Sequence, residues 1–181
     1  QFHEYILATQ GEAALPRFYD EALSLGFETI EISDNVVPLT AQQRVAQIRA
    51  AVATGLTVFG EVGSKETLND PSLLVDQARD CFDAGAELVL VEAAELVENG
   101  KLRTGTIELL MRQLDMTRVM IELPGPWIAE VRSCDIESMK KTLISVLGPD
   151  VNLANVAAST LIDTEAARVG LGTAGPGTSA H

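Results

Sequence analysis

Glu31, Glu61, Glu92 and Glu122 fall 30, 31 and 30 residues apart, each at or near the end of a short apolar run, and Asn152 extends the series by another 30. That spacing is the length of one β-strand plus one helix. A chain that repeats strand, loop and helix at this period builds a parallel sheet, and a polar residue at the same place in every unit lines one rim of it.

Five segments have strand character: Glu28 to Ser33, Thr57 to Val62, Glu87 to Glu92, Arg118 to Leu123 and Asp150 to Ala154. Helical patterns lie between them. Pro16 opens the first expected helix, and Thr40 caps a second that carries Val45, Ile48 and Val52 on one face. Asp70 followed by Pro71 starts a third, with Leu74, Ala78 and Phe82 as its stripe. A short helix is expected over Ile107 to Leu114, a longer and broken one over Trp127 to Leu147, and a last one from Ser159 to Val169. Gly26, Gly55 and Gly85 each precede a strand and read as αβ-turn glycines.

A closed (β/α)8 barrel of the TIM type needs eight units, whereas an open doubly wound sheet gathers its functional residues at one switch point. A polar residue recurring on every strand favours the barrel. The expectation is an α/β protein with a (β/α)8 TIM-type fold, of which this chain supplies about five βα units over residues 1–169. The missing N-terminal units are expected to precede Gln1. Residues 170–181 form a Gly-rich tail, whose G-x-G-x-x-G at Gly170, Gly172 and Gly175 lacks the strand before it and the helix after it that a dinucleotide site requires.

The 181 residues carry 13 basic and 26 acidic side chains, a formal charge of −13. Such a field repels nucleic acid and anionic membrane surfaces, and an anionic small substrate would need a local cation to offset it. Cys81 and Cys134 have no neighbouring cysteine or histidine and read as reduced packing residues of a cytoplasmic protein. No apolar stretch approaches a membrane span. His3 and His181, near the two ends, read as surface residues. Glu4 and Tyr5 are expected to open a loop on the same rim as the glutamates.

Side-chain alternation along neighbouring barrel strands places Glu31, Ser33, Glu61, Glu92 and Glu122 on the inward upper rim. Crowded carboxylates repel one another unless a cation neutralises them, and oxygen donors without histidine or cysteine suit magnesium better than zinc. Glu31, Glu61, Glu92 and Glu122 are therefore the candidate Mg2+ ligands. Lys65, in the loop after the second strand, is the basic residue close to this rim and the candidate catalytic group, able to move a proton at a carbon adjacent to a carboxylate. Asp34 is either a ligand or a turn former. Asn152 and Asn155 can orient a substrate oxygen or close a strand end.

Gly26-Phe-Glu-Thr-Ile-Glu-Ile-Ser-Asp34, Gly60-Glu-Val-Gly-Ser-Lys65, Ala84-Gly-Ala-Glu-Leu-Val-Leu-Val-Glu92 and Val151-Asn-Leu-Ala-Asn155 together resemble the phosphosulfolactate synthase family. That resemblance implies a (β/α) barrel, magnesium dependence, a homo-oligomer, and the addition of sulfite to phosphoenolpyruvate on a route to coenzyme M. It matches Lys65 to the second lysine of an E-V-G-K-K motif, the general acid or base at the enolate carbon; Ser64 replaces the first. Two departures concern anion binding. Where the family reads E-G-R-E this chain has Glu92-Ala-Ala-Glu95, and where it reads G-L-R-G-D-T the chain has Gly170-Leu-Gly-Thr-Ala-Gly175, so two arginines are replaced while Arg168 remains. The expected activity is a lyase joining sulfite, or another nucleophile, to a small anionic carboxylate. Ser33, Asp34, Ser64, Asn152, Asn155 and Arg168 are its candidate substrate-binding residues. Two rivals are a Schiff-base lyase using Lys65 and a non-catalytic, stress-associated or interaction paralogue.

Overall fold

A computed structural model of the chain describes residues 2–64, 69–98, 101–124 and 132–171. Five βα-type strands follow one another at the expected places: β1 (Thr29–Ile32), β2 (Thr57–Val62), β3 (Leu88–Glu92), and, after a small hairpin, β6 (Val119–Glu122) and β7 (Asn152–Ala154). The helices are α1 (Phe2–Gln10), α2 (Leu15–Ser24), α3 (Ala41–Ala53), α4 (Pro71–Asp83), α5 (Thr104–Gln113), α6 (Ser133–Leu147) and α7 (Leu161–Arg168). The chain divides into two compact units, Gln1–Val119 and Met120–His181.

In the first unit β1 pairs with β2 and β2 with β3, both parallel, with Ile32 opposite Gly60 and Gly60 opposite Val89. The expected caps set the helices that connect them. Thr40 and Gln43 form a reciprocal capping box, Gln43 N donating to Thr40 Oγ1 at 3.2 Å and Thr40 N to Gln43 Oε1 at 3.0 Å. Asp70 caps α4 by accepting from Ser72 N at 2.8 Å, with Pro71 in the first turn where its missing N–H costs nothing. Gly85 has φ +106°, and a Cβ there would stand 3.3 Å from Val52 Cγ2, so the turn into β3 requires glycine on both counts.

One face of this sheet carries Ile32, Val58, Gly60, Val62, Val89 and Val91, packed on Ile48 and Ala51 of α3 and on Leu74, Ala78 and Cys81 of α4, all buried. Gly60 is the point of closest approach: a Cβ would lie 2.9 Å from Cys81 Sγ and 3.6 Å from Ile48 Cδ1. Burial pushes the Cys81 thiol up to about 11, which fits a packing residue. The opposite face carries Glu31, Glu61 and Glu92 among the apolar Phe59, Leu88 and Leu90.

In the second unit β6 and β7 are parallel, with Met120 opposite Asn152 and Glu122 opposite Ala154. Leu143 and Ile144 of α6, Ala167 of α7 and Ile121 and Leu123 of the β6 region are buried.

Several local expectations change. The N-terminal segment is a helix, with Pro16 opening the second helix, not the first. His3 is not a surface residue: it is 2% exposed and its ring stacks on Tyr19, because α1 turns it onto α2. Glu4 is likewise buried on α1, where its Oε1 accepts from Val36 N at 2.7 Å, so it braces the β1–α3 connection from a helix and not from a rim loop. In α3 Val52 is exposed and Val45 half-buried, and the buried stripe includes Arg44 and Gln47, since Arg44 turns inward to meet Asp34. Cys134 is exposed, not packed, because α6 begins at Ser133 and places it in the first turn. β3 runs into a 3-10 turn, Ala93–Leu96, and a two-strand antiparallel hairpin, β4 (Val97–Glu98) with β5 (Lys101–Leu102), before α5. Trp127 and the tail from residue 172, with His181, lie outside the described residues. Among the described residues no helix is long and apolar enough to cross a membrane.

Candidate active site

In the first unit Glu31, Glu61 and Glu92 share the face turned away from α3 and α4, but they are not level. Glu31 stands opposite Phe59 and Glu61 opposite Leu90, so each glutamate sits two residues further along its strand than the one before. Stagger of this kind is what closing strands into a tilted barrel demands. Glu61 and Glu92 come together: both are 3% exposed, and each offers a carboxylate oxygen within 4.8 Å of the other's. Glu31 stays apart, half-buried and bordering a cavity of about 550 Å³ lined by Phe2, Ile6, Phe18 and Phe27.

Level with Glu61 on β1 comes Ser33, one residue beyond the Ile32–Gly60 pair. Its Oγ is buried and has no hydrogen-bond partner among the described residues. A buried hydroxyl left without a protein partner calls for an explanation, and a bound ligand is one. Asn35, two residues on, donates from Nδ2 to both oxygens of Glu61 at 2.8 and 3.0 Å, which fixes that carboxylate's orientation. Asp34 is already engaged: Arg44 Nη2 donates to its Oδ2 at 2.6 Å, an ion pair with the guanidinium nearly buried.

Gly63 and Ser64 lead out of β2 toward Lys65. Gly63 has φ +104°, and Ser64 N donates to Glu95 Oε1 at 2.8 Å. Lys65 itself lies outside the described residues, as do residues 66–68. Where the segment resumes, Asn69 N donates to Glu95 Oε2 at 2.8 Å.

In the second unit Glu122 ends β6. Asn155 Nδ2 donates to Glu122 Oε1 at 2.9 Å and to the Leu123 carbonyl at 3.1 Å. Asn155 has φ +59°, the one non-glycine positive φ among the described residues. A side chain in that region is held there at a cost, and such positions cluster at functional sites. Asn152 faces the same side of the sheet but lies opposite Met120, two residues before the level of Glu122. Asn155 thus supplies the amide at that level. Arg168 belongs to the other end of β7: it donates to the carbonyls of Pro149 and, at 2.8 Å, of Val151, and pairs with Glu165 at 3.1 Å. A smaller cavity of about 210 Å³ is lined by Leu123, Ser133, Ile136, Lys140, Asn155 and Thr160. Lys140 is 1% exposed and donates to Glu137 Oε1 at 2.7 Å.

Sequence reasoning missed Glu95, Arg103 and Lys140. Glu95 stands out only as the end of Glu92-Ala-Ala-Glu95, and nothing in the pattern around Arg103 or Lys140 separates either from a solvated cation.

The fold is that of (β/α)8 barrel proteins, and likeness to solved structures carries this part alone. A dihydrodipicolinate synthase family protein from Coccidioides immitis superposes with a TM-score of 0.64 at 20% identity, covering 86% of this chain and 50% of that one. The chain belongs to the (2R)-phospho-3-sulfolactate synthase (ComA) family, whose profile matches residues 1–173. It is 33% identical over 165 residues to the phosphosulfolactate synthase of Methanothermobacter thermautotrophicus, which covers 85% of this chain and 60% of that protein. The phosphosulfolactate synthase of Methanocaldococcus jannaschii is 30% identical over 165 residues, covering 85% and 61%. The chain thus spans about three fifths of the length of these curated relatives.

Proposed function

We propose that the protein is a magnesium-dependent lyase of the phosphosulfolactate synthase type, which forms a C–S bond between sulfite, or a related nucleophile, and phosphoenolpyruvate or a related small carboxylate. The observation that carries this reading is the buried pair Glu61 and Glu92, held within 4.8 Å on one sheet face. Two carboxylates so close and so dry repel each other unless a cation lies between them, and an all-oxygen donor set fits magnesium. Glu31 and Glu122, from the same 30-residue series, join them as candidate ligands on sequence grounds.

A bound magnesium would set positive charge against the substrate oxygens as negative charge builds on them. The rest falls to the chain's own side chains. Sulfite sulfur bonds to the terminal carbon of phosphoenolpyruvate, the double bond's electrons move toward the carboxylate, and the middle carbon then takes a proton. Lys65, next after Ser64, is the proposed donor of that proton. Ser33 Oγ is a candidate donor to a substrate oxygen, with Asn35 keeping Glu61 in place. Ser64, Asp34, Asn152 and Asn155 remain candidate substrate contacts; Arg168, held at the opposite end of β7, does not. A cytoplasmic location and a homo-oligomer belong to the same proposal.

The test is product formation by the full-length protein from phosphoenolpyruvate and sulfite with magnesium, followed by mass spectrometry. The reading expects a phosphosulfolactate mass that EDTA abolishes and that Lys65→Ala reduces by about 10²- to 10⁴-fold. Undiminished turnover in Lys65→Ala would remove the lysine, and undiminished turnover in EDTA would remove the metal.

A further inference from the structure

Lys140 is the most deeply buried cation among the described residues, and no role above uses it. It lies on the face of α6 that also carries Ser133, Ile136 and Glu137, the spacing that brings side chains together along one side of a helix. That face borders the cavity of about 210 Å³ in the second unit. The other walls come from Leu123, which follows β6, and from residues 155–157 and the 3-10 turn Ala158–Thr160, which follow β7. The cavity therefore lies beyond the carboxyl ends of two parallel strands, the end at which βα barrels place their sites.

An ammonium has three N–H bonds to give. Glu137 Oε1 takes one at 2.7 Å, and Thr160 Oγ1 takes a second only weakly at 3.4 Å, its own hydroxyl donating to the Ala157 carbonyl at 3.1 Å. No third acceptor meets Lys140 among the described residues. A buried charge so incompletely met is unfavourable unless something else enters, and the adjoining cavity has room for it. A single water would supply one acceptor, yet the space holds considerably more than one.

The chemistry of the wall selects the occupant. In this dry setting an ammonium bonds most strongly to a charged oxygen, and the one it already holds belongs to a carboxylate. Glu137 keeps about a third of its side chain in solvent, so it can turn outward and release the ammonium. Ser133 and Ser159 add hydroxyls around the same space. In a chain of net charge −13, an anion finds few such places.

We propose that this cavity is an oxyanion subsite in which Lys140 binds a phosphoryl or sulfonate group, with Glu137 holding the ammonium while the site is empty. Neither the metal nor the reaction proposed above enters this inference. Only the identification of the anion with the substrate's own phosphoryl group rests on that reading.

The experiment is calorimetric titration of the full-length protein with inorganic phosphate at low salt and without magnesium. Lys140→Met keeps the packing and removes the charge, and should weaken binding by about tenfold or more. Glu137→Gln removes the competing carboxylate and should tighten binding by about threefold or more. The opposite signs are decisive, because an ion pair with a purely structural role gives no gain in affinity from Glu137→Gln. Amide resonances of Val156, Ala157 and Thr160 should shift along the titration. No phosphate binding, equal binding in wild type and Lys140→Met, or weaker binding in Glu137→Gln would each overturn the proposal. If Lys140→Met does not fold, Glu137→Gln and Thr160→Val decide it, the latter with an expected loss of about threefold. Phosphoenolpyruvate and pyruvate then assign the anion. Phosphoenolpyruvate binding that depends on Lys140, with pyruvate binding that does not, marks the substrate's phosphoryl group; phosphate binding alone depending on Lys140 marks a separate anion. Both outcomes uphold the subsite, and neither relies on turnover.

Discussion

Each of the two compact units carries a glutamate at or next to the end of a parallel strand and holds it with an asparagine from a neighbouring connection, but they do so by different means. In the first, Asn35 follows the strand before Glu61 and grips both carboxylate oxygens, and Glu61 is buried beside Glu92. In the second, Asn155 follows the strand after Glu122, grips one oxygen, and is itself kept in a left-handed backbone conformation. Glu122 is half-buried. The cations differ too: Arg44 and Arg103 meet carboxylates next to the site face, whereas Arg168 braces carbonyls at the far end of β7. Orientation of a strand-end carboxylate is evidently what both units conserve in geometry, while desolvation is concentrated in the first.

The largest test of this contrast is to neutralise each glutamate in the full-length protein. Glu61→Gln should lower turnover by roughly 10³-fold, the loss expected when charge is removed beside a dry reacting centre. Glu122→Gln, in a wetter setting, should cost roughly tenfold by the same argument. Equal losses would break the distinction.

Next in size are the ion pairs. Asp34→Ala leaves the nearly buried Arg44 guanidinium unpaired and should reduce stability by about 2 to 3 kcal/mol, somewhat below the figure for a fully buried pair because Asp34 retains some exposure. Glu165→Ala, removing the exposed partner of Arg168, should cost less than about 0.5 kcal/mol. Urea titration of both variants makes the comparison.

Smaller again is the backbone effect. Asn155→Ala should be about 1 kcal/mol less stable than Asn155→Gly, since glycine, unlike alanine, accepts φ +59° without strain. At Asn35, where φ is not positive, alanine should be no worse than glycine. A ranking of the two variants at residue 155 in the opposite order would remove strain from the account.

A separate test is that of pH on the first unit. Burial against α2 lowers His3 from 6.5 to about 4. The unfolded chain therefore takes up a proton near pH 6.5 that the folded chain refuses until about 4, so stability present above pH 6.5 is lost as the pH falls through that window. Melting temperatures between pH 7 and 4.5 should show the loss, and His3→Gln should flatten it. An equal slope in the variant would assign the effect to carboxylates elsewhere.

Much of this was legible in the chain itself. Four strands lie where short apolar runs carry a Glu at or near their end and the fifth opens on Asn152, and Thr40, Asp70-Pro71 and Gly85 mark boundaries that the structure keeps. Those signals are local, set by hydrogen bonds or backbone angles within a few residues. The N-terminal helix was not legible, because the apolar residues that follow Phe2 cluster in one run, Tyr5 to Ala8, without a helical stripe, and its burial of His3 and Glu4 depends on Tyr19 and Val36 far along the chain. The buried face of α3 was misjudged for the same reason: Arg44 reads as a solvent residue until Asp34 is seen ten residues back across the turn.

By itself the sequence determined the period, the parallel βα architecture, the identity of the strand-end residues and the family. Tertiary structure alone decided which of them meet. Equal spacing along the chain does not mean equal height in a sheet, since strand register staggers Glu31, Glu61 and Glu92 by two residues at each step. Nor does it show that Glu95 ties Ser64 to Asn69. Such contacts join residues about thirty positions apart, and their partners are chosen by register and packing, which no local pattern records.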